Sequence, residues 1–177
     1  MSVTQVISAI AVLLQELEQE AAATRRLLER VPQSKLTWKP HPKSMSLGQL
    51  ALHVATIPGN IATISQLSPF PLPEFNQPAT EDAAALPGTL DDSVATARRI
   101  LGAMDDAALG KPWSVVHDGQ ELMTLPVGAM YRTLMLNHWY DHRGQLSVYL
   151  RELDVPLPSV YGPTADENPF ANAAASS

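Results

Sequence analysis

The side chains best suited to chemistry in this chain are its histidines, and two of the five fall in the run His138-Trp139-Tyr140-Asp141-His142. Residues four apart on a helix leave the same face, one turn above the other. The helical stripe Val127, Tyr131, Leu134, His138, His142, Gln145, Tyr149 and Leu153 predicts that both imidazoles face inward. His53 raises the same question on another helix, three residues after Leu50 and four before Ile57. A buried imidazole loses its hydrogen bonds to water and needs a replacement partner. If the two helices are neighbours, three ring nitrogens can converge on one divalent metal ion. Imidazole suits zinc, nickel, copper or iron, and three protein ligands leave positions open for water or substrate. The competing account is three core histidines hydrogen-bonded to carbonyls or hydroxyls. His41, between prolines, and His117, ahead of a turn, are expected at the surface.

Other chemistries find less support. The chain has no cysteine, so disulfides, thiolate metal sites and a cysteine nucleophile are excluded. No Gly-x-Ser-x-Gly elbow marks a serine nucleophile. Asp141 is the carboxylate nearest the paired histidines, but it sits roughly 60° around the helix from His138. It could orient a ligand histidine or pair with Arg143. Gln145, one turn beyond His142, could bond a ligand or lie at the edge of the core. A divalent ion on three neutral imidazoles keeps its full charge and can either acidify a bound water or activate a thiolate. The ligand set alone therefore leaves hydrolysis and thiol transfer both open.

Charge narrows the partners. The formal net charge is −6 and the basic residues are scattered, with Arg25-Arg26 and Arg98-Arg99 the only adjacent pairs. That argues against nucleic acid, whose phosphates require clustered lysine and arginine. No apolar run approaches the roughly 18 residues needed to span a bilayer. The run from Ile7 to Leu14 is followed by Glu16, Glu18 and Glu20, the wrong flank for an export signal, and the expected location is cytoplasmic.

The elements that must position the histidines are helices. Val6, Ile10, Leu13, Leu14, Leu17, Ala21 and Leu28 predict a first helix over about Thr4 to Arg30, closed by Pro32. A loop with Pro32, Pro40 and Pro42 follows, anchored by Trp38. Ser46 with Gln49 fits a capping box opening a second helix, which carries His53. Pro58 removes the hydrogen bond to the carbonyl of residue 54 within that helix and should bend it. Five prolines between Ser68 and Gly88 predict a long crossover. A third helix is expected from Thr89, capped by Thr89 with Asp92, to about Ala108. Asp118-Gly119 marks the turn of a small hairpin, and the last helix should run from near Pro126 to about Leu153. The expected fold class is all-α, a four-helix bundle with a crossover between helices 2 and 3 and a hairpin before helix 4. Residues 1–168 form its single domain and 169–177 a flexible tail.

Two segments resemble the DinB/YfiT-like family. One is Ser46-Leu47-Gly48-Gln49-Leu50-Ala51-Leu52-His53 through Gly59, and the other Asn137-His138-Trp139-Tyr140-Asp141-His142-Arg143-Gly144-Gln145-Leu146. Tyr161-Gly162-Pro163-Thr164-Ala165-Asp166-Glu167 extends the similarity toward the end of the chain. The resemblance implies a four-helix bundle, usually a homodimer, whose three histidines hold a divalent metal, commonly nickel or zinc, with iron a further option. These map onto His53, His138 and His142. It also implies two functional classes. One is a metal-dependent enzyme acting on a small molecule, by hydrolysis or by transfer to a low-molecular-weight thiol. The other is a non-catalytic, stress-related metal-binding dimer.

Overall fold

The computed structural model describes residues 8–171 apart from residue 75. Four long helices and a small three-stranded sheet make up the molecule. The first helix, α1 (Ala9–Leu28), buries Ile10, Leu13, Leu17 and Leu28 of the predicted stripe, and Leu27 beside them. Its expected start at Thr4 lies outside the described residues. Ser8 caps it, and the Asp106 carboxylate accepts from the N–H groups of Ala9 and Ile10 at 2.9 and 3.0 Å. These are donors that a helix start leaves without partners.

The second helix, α2 (Leu47–Ile64), opens on the expected capping box. The Gln49 N–H donates to Ser46 Oγ at 3.2 Å and the Ser46 N–H to Gln49 Oε1 at 2.9 Å. Trp38 anchors the preceding loop by an edge-on contact with Tyr149 at 5.5 Å between ring centres. Helix α2 continues through Pro58, and beyond it Gly59 meets the third helix closely. A Cβ at Gly59 would sit 2.9 Å from the Ser93 carbonyl oxygen, so only glycine allows this approach.

The third helix, α3 (Leu86–Gly102), begins three residues earlier than expected and ends sooner. Leu86, Pro87 and Gly88 form its first turn, since proline lacks only an N–H that a helix start does not use. Thr89 is therefore not a cap; its hydroxyl donates to the Ala85 carbonyl at 3.0 Å. The crossover also contributes a strand. Phe70–Pro71 (β1) pairs in parallel with Pro112–His117 (β2), which pairs antiparallel with Gln120–Pro126 (β3). Only the β2–β3 hairpin was expected, and its turn holds Asp118 and Gly119 at positive φ of 49° and 78°. Trp113 in β2 donates its indole N–H to the Leu67 carbonyl at 2.8 Å and ties the sheet to the end of α2.

The last helix, α4, spans 127–152 in three parts. An α-helical turn (Val127–Met130) leads into a π-helical stretch (Tyr131–Asn137) and then a regular α-helix (His138–Glu152). Helix α2 packs against both α3 and α4, while α1 packs mainly on α3. No helix among the described residues is long and apolar enough to cross a membrane. The tail expected over 169–177 lies outside the described residues from 172 onward.

Candidate metal centre

Helices α2 and α4 meet where the sequence placed its question. The indole N–H of Trp139 donates to the Val54 carbonyl at 2.8 Å, fully buried. That carbonyl would ordinarily accept the N–H of residue 58, but Pro58 has none. The orphaned acceptor is thus satisfied from the neighbouring helix. Val54 and Trp139 are the chain neighbours of His53 and His138, so the same bond sets the two histidines opposite each other.

His53, His138 and His142 form one cluster, with one possible ligand atom from each within 4.8 Å of the others. Their ring centres lie 4.6–5.1 Å apart. The Nε2 atoms of His53 and His138 are separated by 3.2 Å. His138 Nδ1 lies 3.2 Å from the Leu134 carbonyl, which can only accept, so its proton sits on Nδ1 and its Nε2 carries a lone pair. His53 then donates from Nε2 in the metal-free state. The buried Nδ1 of His142 has no hydrogen-bond partner. Burial, then the proximity of His142 and His138, lowers the His53 pKa to about 4. Burial and His138 lower that of His142, against a raising influence from Asp141.

These features fit a metal ion. Two ligand nitrogens at zinc–nitrogen bond lengths of about 2.1 Å lie roughly 3.0 Å apart at a right angle and about 3.4 Å apart at the tetrahedral angle. The observed 3.2 Å falls between. Burial disfavours the charged form of His53 and His142, and the neutral imidazole is the state a ligand needs.

All three histidines are half-buried, flanking the core instead of lying within it. Of the predicted α4 stripe Val127, Tyr131 and Tyr149 are buried; from the π-helical stretch onward the buried face otherwise runs one residue further along, through Met135, Trp139, Arg143, Leu146 and Leu150. His41 and His117 are exposed, as expected. Asp141 does not pair with Arg143; it is exposed and accepts from Gln145 Nε2 at 2.7 Å. Arg143 instead is buried, 2.6 Å from the Glu20 carboxylate, and stacks on Tyr140 and Tyr161. Nothing in the residue pattern singled out Glu20; an acidic residue beside the apolar stripe of α1 was the only available sign.

A family model for the DinB superfamily matches residues 16–146, and the chain belongs to that superfamily. The uncharacterized protein YrdA of Bacillus subtilis (strain 168) is 26% identical over 155 residues, covering 87% of this chain and 89% of YrdA. Two solved structures share the fold. A DinB-like protein of Bacillus cereus ATCC 10987 superposes with a TM-score of 0.67 at 23% identity, covering 84% of this chain and 95% of that one. The DinB-like protein YjoA of Bacillus subtilis gives 0.64 at 21% identity, covering 84% and 96%.

Proposed function

We propose that this protein binds one divalent metal ion, nickel or zinc in preference to iron, through His53, His138 and His142. On this reading it is a metal-dependent enzyme acting on a small molecule. The observation that carries it is the convergence of three imidazoles from two helices within 4.8 Å. Half-burial supports turnover, because a ligand set at the flank of the core leaves solvent and substrate a way in. A divalent ion held there would supply Lewis-acid chemistry, acidifying a water or a low-molecular-weight thiol that it binds. The chain's own contribution is positional: Leu134 fixes the His138 tautomer, and the Trp139–Val54 bond fixes the helix register.

A second reading, a metal-holding stress-related protein without turnover, is favoured by one feature. Among the described residues none of the three imidazoles donates to a carboxylate, and Asp141 accepts from Gln145. A proton acceptor would then have to come from the substrate or the solvent. Both readings take the four helices as a bundle and the protein as a cytoplasmic homodimer that binds no nucleic acid. The exposed Val12 on α1 supports the dimer and the net charge of −6 opposes phosphate partners.

Elemental analysis of untagged protein beside His142→Ala tests the metal. Near-stoichiometric nickel, zinc or iron that disappears in the variant is the expected result. No metal in either sample after incubation with divalent ions would remove the proposal. A light-scattering mass equal to one 19.1 kDa chain would remove the dimer.

A further inference from the structure

A cavity of about 200 Å³ adjoins the histidine cluster, with His53 in one wall, between α2 and the crossover. Gln49 builds its roof. Its Nε2 donates to the Gln77 carbonyl at 2.9 Å and pins the crossover over the helix. Thr56 lines the wall, its hydroxyl proton already donated to the Leu52 carbonyl at 2.9 Å, so its oxygen presents lone pairs to a ligand. Asn60, Asn76 and Gln77 add polar groups to the lining, beside the apolar Leu52 and Pro78. Among the described residues their side-chain amides make no hydrogen bond within the chain, which leaves both donors and acceptors to offer.

Beyond Thr56 and Asn60 the cavity continues into a groove of about 250 Å³ between α2 and α3, lined largely by threonine and serine hydroxyls. Its one carboxylate is Asp92. No lysine or arginine lines either space among the described residues. In the metal-free chain an anionic ligand would meet no compensating charge there and would face Asp92; a hydroxyl or amide would find matched partners.

We propose that this cavity and groove bind a neutral small molecule rich in hydroxyl and amide groups, with one end against His53. The inference rests on the metal-site reading for its catalytic meaning, though the binding does not require the ion.

The test uses the full ¹⁵N-labelled chain, metal-free and zinc-loaded, with N-acetylglucosamine as a neutral probe carrying hydroxyls and an amide. Its 6-phosphate serves as the anionic counterpart. The expected result is movement of the side-chain NH₂ signals of Asn60, Asn76 and Gln77 by the neutral sugar, with binding to the metal-free chain weaker by roughly tenfold for the phosphate. Asn60→Leu, at an exposed position, should weaken the sugar while leaving the rest of the spectrum intact. Unmoved amide signals at saturating sugar, or equal binding of the phosphate by the metal-free chain, would overturn the proposal. Failure of the metal reading is seen separately. If zinc leaves the His53 ring signals unchanged while the sugar still moves the amides, the cavity assignment stands and the metal assignment falls.

Discussion

Trp139 closes a gap in α2 that Pro58 opens, donating its indole N–H to the Val54 carbonyl at 2.8 Å. The bond is buried, and the residues on either side of it in sequence include His53 and His138. Trp139→Phe should therefore leave a buried carbonyl unpaired at a cost of about 1–2 kcal/mol. Restoring an N–H at position 58 should soften that loss, so Trp139→Phe in a Pro58→Ala background should cost less. A double-mutant cycle by urea denaturation measures the coupling, and strict additivity would show that the two residues act independently.

Acid should weaken the metal-free chain through the histidines. The His53 pKa is lowered to about 4 in the folded state, chiefly by burial, while an unfolded histidine titrates near about 6.5. Between these values the unfolded state binds more protons. Stability is thus fully present above about 6.5 and is lost as pH falls toward about 4. Thermal melts across this range should show a slope that flattens in His53→Asn. An unchanged slope in the variant would assign the acid sensitivity elsewhere.

Metal should raise thermal stability only when the cluster is complete. Zinc at a free concentration one hundred times its dissociation constant should add about 2.7 kcal/mol. Differential scanning calorimetry should show the increase in the native chain and none in His138→Ala.

The ion pair of buried Arg143 with half-buried Glu20 holds α4 against α1 at 2.6 Å. Glu20→Ala would leave a guanidinium buried without its carboxylate, and the expected cost is about 3 kcal/mol. Glu16→Ala, which breaks a more exposed contact with Arg132 at 2.8 Å, should cost about 1 kcal/mol or less. Chemical denaturation of the two variants side by side checks the difference.

Much of this architecture was readable from local pattern. The Ser46–Gln49 capping box, the Asp118-Gly119 turn and the stripe of α1 are short-range signals, and each of these features forms in the structure. The three histidines are also found together, because α2 and α4 are neighbours as the site required. What local pattern could not show was the pairing of Phe70 with Val115. That contact joins distant segments, and a proline-containing pair of residues carries no strand signal. The inward stripe of α4 was misplaced for a different reason. A constant 3.6-residue period was assumed through Leu134 and His138, whereas the buried positions 131, 135, 139 and 143 recur every four. Arg143 was offered as a partner for nearby Asp141; its actual partner, Glu20, lies 123 residues away.

The π-helical stretch Tyr131–Asn137 has a genetic consequence. A wider turn holds a residue that a regular α-helix of the same rise would not need. Losing one in-frame codon there would let the ordinary hydrogen-bond ladder close. Because the extra residue widens a turn without adding rotation, the flanking halves of the helix would keep nearly the same orientation. Such a deletion would spare all three histidines and leave the hairpin-side half of the helix aligned with the half that carries them. A one-residue gap in this stretch is therefore compatible with an intact site.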